Sequence, residues 1–252
     1  VAGVDNLEPA DRVIEPQDAE LYSVTFDRGT ESEDTVKIPS LHSIKKTGAT
    51  NGTLGGVYQA DSDAGVSIEN AEFTFRRPSN AENQDQFYQI YSEGMQRYLT
   101  NVDSVNVLFT TTPRNSIYVA YSEDHKGFVV DNRSRLNGQD HRYLLFDLQG
   151  YTFNTSSTVS ASDARYKAGM QVLKKVTKAE ADEAQAAGKT VYDLTEGAED
   201  DYKYVALGAD DTIDISRKYL IAYKVAENSD DSTFGNGGLV ILYPHNTTAN
   251  HA

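Results

Sequence analysis

From residue 72 onward the chain is a succession of short runs rich in Val, Ile, Phe, Tyr and Thr, each closed by turn residues. That spacing constrains the fold more than any other feature. The runs cover residues 72–76, 86–91, 96–100, 105–110, 116–121, 127–132, 142–147, 151–154 and 170–176, and they resume at 202–207, 218–224 and 238–243. Several alternate apolar and polar residues, which sends successive side chains to opposite faces of a strand. Strands recurring every ~8–12 residues, with Gly, Asn, Asp, Ser or Pro between them, predict an all-β barrel or sandwich. An isolated strand signal precedes them at 21–26. Residues 1–19, polar and holding Pro9 and Pro16, read as a linker or lead-in. Residues 27–34 read as a charged turn, and 47–56, with four glycines, as a loop.

Residues 178–188 break the pattern. Thr177 can accept from the backbone three residues on, and Glu180 can reach back to it, the two halves of a capping box. Gly188 supplies a stop. The apolar residues of this segment are all alanine, so a surface helix joining two β segments is expected. The predicted organisation is a lead-in at 1–19, a β domain at 20–176, a connecting helix at 177–189, and a small β segment at 190–252. That last segment either packs on the main domain or starts a neighbouring module.

Composition narrows the function classes. The net charge is −15, which repels phosphate backbones and anionic bilayers, so neither nucleic acid nor membrane insertion is expected. No run approaches the ~20 apolar residues of a membrane span. The chain has no Cys, which removes disulfides, thiolate metal sites and a Cys nucleophile. It has no Trp, and its aromatic share comes from 16 Tyr and 9 Phe. Tyrosine carries an apolar ring with a polar tip, suited to half-buried strand faces and to wet binding surfaces. The opening Val1-Ala2-Gly3-Val4-Asp5 reads as a cut or processed start within a longer chain.

A short repeat runs through the strands. Phe87-Tyr88-Gln89-Ile90-Tyr91-Ser92-Glu93 and Ile117-Tyr118-Val119-Ala120-Tyr121-Ser122-Glu123 both read apolar-Tyr-x-x-Tyr-Ser-Glu. Each is followed by a turn and a second strand ending in Asn, at Asn101 and Asn132. Further echoes are Tyr143-Leu144-Leu145-Phe146 and Tyr219-Leu220-Ile221-Ala222-Tyr223. The alternation resembles strand pairs of β-trefoil modules of the ricin-B-like kind, over roughly residues 65–176. The run Gly169-Met170-Gln171-Val172-Leu173 is similar to the closing strand of such a module. The resemblance implies a β-trefoil-like main domain serving as an accessory module of a secreted bacterial multidomain protein. The family's Gln-x-Trp signature is absent; Gln89-Ile90-Tyr91 and Gln149-Gly150-Tyr151 are its nearest counterparts.

Saccharide recognition needs a flat ring for a pyranose face and amides or carboxylates for its hydroxyls. Tyr91, Asn101, Tyr121, Asp131 and Asn132 offer those types at matching repeat positions and form the candidate ligand set. The alternative for the rings is that they fill the core or pair across strands. No cofactor is expected. If a loop takes a cation, Asp61-Ser62-Asp63-Ala64-Gly65 would place Asp61 and Asp63 as Ca²⁺ ligands; an acidic turn is the simpler account. The five histidines are scattered, and no His-Glu-x-x-His, Gly-x-Ser-x-Gly or phosphate-cradling glycine loop occurs.

The expected function is therefore a non-catalytic, lectin-like, carbohydrate-binding module that is secreted or held at the cell surface. A second reading is a structural or adhesive domain that binds a host surface protein. A third is a secreted glycosidase or peptidase, whose acid pair no single sequence reveals.

Overall fold

The computed structural model describes residues 68–78, 85–94, 96–100, 107–113, 116–133, 140–149, 152–194, 202–226 and 239–242, together with five earlier strand segments. Those five are β1 (Ser23–Phe26), β2 (Val36–Ser40), β3 (Ile44–Thr47), β4 (Leu54–Gly55) and β5 (Val57–Ala60). A 3-10 turn at Ile68–Ala71 leads into β6 (Phe73–Arg76), β7 (Phe87–Ser92), β8 (Arg97–Leu99), β9 (Val107–Thr110), β10 (Ile117–Ser122) and β11 (Gly127–Asn132). Then come β12 (Tyr143–Asp147), β13 (Thr152–Ser156), β14 (Tyr166–Lys167) and β15 (Gln171–Thr177). Helix α1 (Lys178–Ala186) precedes β16 (Val191–Tyr192), β17 (Tyr202–Ala206), β18 (Lys218–Lys224) and β19 (Leu239–Ile241).

The protein is β-rich, as the run spacing predicts. Pairing is antiparallel except between β4 and β16. The charged turn expected at 27–34 and the lead-in at 1–19 lie outside the described residues. The loop reading of 47–56 is corrected at Leu54–Gly55, which pairs with Val191–Tyr192. Two residues carry no periodicity, so only the distant partner makes them a strand.

Strand β7 is the hub of the first half. It pairs with β6 through residues 89–92, with β8 through Tyr91 and Ser92, and with β10 through Phe87 and Tyr88. Strand β18 is the hub of the second half. It has β15 on one edge, and β6 and β19 along the other. The C-terminal strands therefore lie in the same sheet as β6 and β15. One apolar cluster draws Phe73, Phe75, Ile90, Val119 and Val130 together with Tyr219, Ile221, Tyr223 and Leu242. Within it Phe75 meets Tyr88 and Tyr219 edge-on at 5.5 and 5.2 Å, and Phe146 stacks on Tyr223 at 4.8 Å. Burial pushes the Tyr219 phenol up to about 12, as expected of a ring used for packing.

Helix α1 forms as its sequence dictates. The Thr177 side chain accepts from Glu180 N and the Glu180 carboxylate accepts from Thr177 N at 2.8 Å, so both halves of the capping box are made. Glu180 also receives a two-pronged contact from Arg217, at 2.9 and 2.7 Å, and Arg217 in turn donates to the Lys175 carbonyl. The Arg217 hydrogen bonds, followed by the Thr177 backbone N–H, hold the Glu180 carboxyl down to about 2 from 4.5. A depressed acid stabilises the fold above its unfolded value, and that contribution is lost as pH falls from about 4.5 toward 2. Glu180 is 42% exposed, so solvent screening limits the contribution to about 1 kcal/mol. Acid titration followed by circular dichroism should therefore show a shallower stability loss below pH 4.5 in Glu180→Gln than in the parent protein. Identical slopes would count against the role of this pair.

Candidate functional site

The two halves of the repeat do not superpose in space. Along β7 the even residues Tyr88, Ile90 and Ser92 are buried, so Phe87, Gln89 and Tyr91 face outward. Along β10 the odd residues Ile117 and Val119 are buried and Tyr118 faces outward. Tyr91 and Tyr121, equated by sequence, thus stand on opposite faces of the sheet. The pairing of Tyr88 with Ile117 also sends them in opposite directions. Seven residues at ~3.4 Å each place them roughly 24 Å apart along the strands. One inserted residue in register is enough to exchange faces.

The outward rings are engaged with arginines. The Arg76 guanidinium lies 3.9 Å over Tyr91 and donates to the Tyr98 hydroxyl at 2.6 Å, while Tyr98 meets Tyr91 edge-on at 5.0 Å. Arg133 lies 3.5 Å over Tyr118, which itself packs on Phe87. A guanidinium on a ring takes the face that a pyranose would need. Asp131, the cross-strand partner of Tyr118, is fully buried. Its carboxylate accepts from Arg142 N at 2.9 Å and Arg133 Nε at 3.3 Å, and lies 2.8 Å from His141 Nδ1. Asn132 is also fully buried and donates through its amide to the Thr100 carbonyl at 2.7 Å. These two residues tie the end of β11 to neighbouring segments. Asn101, Asp61 and Asp63 lie outside the described residues.

Tyr121 leads to a different place. Its ring packs edge-on against Phe128 at 5.5 Å and forms one wall of a cleft of about 510 Å³. The cleft opens between the β10–β11 turn, the segment from Ser160 to Gln171, and the end of β18. Tyr166 and Tyr223 add two more rings, Gln171 an amide, and Ser160 a hydroxyl. Lys126, Lys167 and Lys224 line it as well, against one carboxylate, Asp124. The volume falls in the ~300–1,000 Å³ range of small-ligand sites.

The back wall of the cleft is a close backbone approach. Phe128 N donates to the Met170 carbonyl at 2.7 Å and Met170 N donates to the Phe128 carbonyl at 2.8 Å. Gly127 and Gly169 make this possible. A Cβ on Gly169 would overlap the His125 carbonyl oxygen and lie 2.9 Å from its carbon. A Cβ on Gly127 would lie 2.8 Å from the Met170 oxygen.

Of the described residues in the sequence-predicted set, only Asp131 and Asn132 stand side by side on β11, opposite Tyr118 and Ile117 of β10, whereas Tyr121 lies at the other end of that hairpin opposite Phe128. Tyr91 and Tyr121 are remote from each other. Tyr166, Gln171 and the three lysines gave no sequence signal, since they come from three separate segments. Among the described residues no group of three or more His, Asp or Glu is placed to hold a metal ion. Likewise among them, no helix is long and apolar enough to cross a membrane. Asp211 accepts from Lys189 at 2.5 Å and from Gly208 N at 2.7 Å. Comparison with family models, curated proteins and solved structures finds no match.

Proposed function

We propose that the protein is a non-catalytic glycan-binding module of a secreted or cell-surface bacterial multidomain protein, and that its saccharide site is the Tyr121 cleft. One observation carries this reading. The half-buried Tyr121 ring borders a ligand-sized cleft beside the Gln171 amide and the Ser160 hydroxyl, and Tyr166 joins it there with the Arg165 guanidinium 4.7 Å from one face of its ring. Rings present apolar faces to a sugar, and amides and hydroxyls match its hydroxyl groups. A single lining carboxylate, Asp124, also favours binding over hydrolysis, because glycosidases flank the scissile bond with two.

The frame is proposed to be β-trefoil-like, of the ricin-B-like kind. Two observations support this reading: β6, β7, β10 and β11 pair in succession, and β18 pairs with both β15 and β6. The step from β11 to β15 rests on the Phe128–Met170 bridge in place of a full ladder. In chain order the hairpins β8–β9 and β12–β13 fall between β7 and β10 and between β11 and β15, the order that cap hairpins of a trefoil would take.

Glycan-array screening followed by calorimetry tests the function. Tyr166→Ala is expected to weaken binding of the best saccharide at least ten-fold without lowering Tm by more than a few degrees. Tyr121→Ala should do the same with a larger Tm loss, since Tyr121 also packs on Phe128. Absence of any saccharide binding at high protein concentration would sink the proposal.

The runner-up is an adhesive domain that grips a host protein. It draws on the outward Arg76–Tyr91–Tyr98 and Arg133–Tyr118–Phe87 stacks, since Tyr and Arg are the residues enriched at protein interfaces. Loss of host-cell adhesion on Arg76→Ala, with saccharide binding intact, would favour it.

A further inference from the structure

We infer that the cleft selects an acidic saccharide, one bearing a carboxylate or sulfate, over neutral sugars. The inference rests on the cleft being the saccharide site. Its observation is a charge inversion. The chain as a whole carries −15, yet the lining side chains count three lysines against one aspartate, a local +2.

Distance decides which charge a bound ligand meets. A volume of about 510 Å³ corresponds to a sphere of about 5 Å radius. At physiological ionic strength charges farther than about 8 Å are largely screened. A ligand inside the cleft therefore meets the lining lysines, and the acids elsewhere on the surface are muted. Among the described residues, neither Lys126 nor Lys224 is engaged by a carboxylate. Lys167 donates to the Asp163 main-chain carbonyl and also interacts with the charge of the Asp163 carboxylate, so the uncompensated positive charge is carried by Lys126 and Lys224. The Asp163 carboxylate accepts from the backbone N–H groups of Arg165 and Tyr166, at 2.8 and 2.9 Å. The ammonium groups are point charges without a planar fork, so they suit a diffuse anionic group presented at several angles.

Lys126 adds a handle for the test. It sits at φ 55 in the β10–β11 turn, a left-handed conformation in which glycine is cheaper than any L side chain. Lys126→Gly therefore removes the charge at a position where the backbone prefers the replacement, and Tm should hold or rise.

The experiment is calorimetry of the full chain against three matched oligosaccharides: neutral, uronate and sulfated. Either or both acidic ligands should bind at least ten-fold tighter than the neutral one, and that margin should shrink as salt rises from 50 to 500 mM. Lys126→Gly and Lys224→Gln should each cut acidic-ligand affinity at least three-fold without lowering Tm. Equal affinity for neutral and acidic ligands, insensitive to salt and to both variants, would overturn the charge inference and leave the glycan reading standing. No binding of any of the three would remove the glycan reading itself.

Discussion

Gly169→Ala should lower stability by roughly 3 kcal/mol and damage the cleft at the same time. The added methyl would overlap the His125 carbonyl oxygen, and both neighbouring contacts are backbone, which cannot swing aside like the end of a side chain. Relief requires moving the β10–β11 turn away from the segment before β15, which breaks the paired Phe128–Met170 hydrogen bonds. Overpacking a tight site typically costs about 1–3 kcal/mol, and losing two backbone hydrogen bonds pushes this case to the upper end. Chemical denaturation would measure it. Because Tyr121, Lys126 and Gly169 line one cleft, ligand affinity should fall alongside stability. Ala at this position with unchanged stability and affinity would mean that the close approach is unimportant to both.

Lys175→Met should destabilise the protein by about 3 kcal/mol. Glu72 is 1% exposed, and its carboxylate receives Lys175 Nζ at 2.7 Å and the Tyr204 hydroxyl at 2.8 Å, with Lys218 Nζ farther off at 3.8 Å. Burial comes first, and the neighbouring Glu72 charge second, in driving the Tyr204 phenol far above its ordinary value, so it stays a donor. Removing the lysine leaves a buried carboxylate with one hydroxyl and a distant ammonium. Breaking such a pair from one side costs about 3–5 kcal/mol, and the residual partners put this case at the low end. Glu72→Gln keeps an acceptor for Tyr204 and frees Lys175, which is 23% exposed and can turn to water. It should cost only about 1 kcal/mol. A double variant, Glu72→Gln with Lys175→Met, should be less destabilised than the sum of the singles. Full additivity would show that the two side chains do not act as a pair.

Both predictions concern contacts spanning long stretches of chain, and this is where sequence reading stops. Local information was legible. The apolar, turn-bounded runs at 127–132 and 218–224 returned as β11 and β18 with the same limits. Thr177, Glu180 and Gly188 marked the helix because capping needs only residues within one turn of each other. Gly188 indeed adopts a positive φ of 82.

The repeat was legible as a pattern and misleading as geometry. Tyr91 and Tyr121 match letter for letter, yet which face of a strand a residue takes depends on the register of its neighbour. The same holds for the short strands β14 and β16, too brief to show a period. Of the cleft, sequence offered Tyr121; Tyr166, Gln171, Lys126, Lys167 and Lys224 come together only through long-range pairing.

The sequence by itself determined the β class, most strand positions and the capped helix, because side-chain alternation and capping act over a few residues. Only the tertiary structure decided the partner of Glu72, 103 residues away in Lys175, and the faces taken by the repeated tyrosines. Those depend on register and burial, which are properties of two segments meeting and are written in neither one alone.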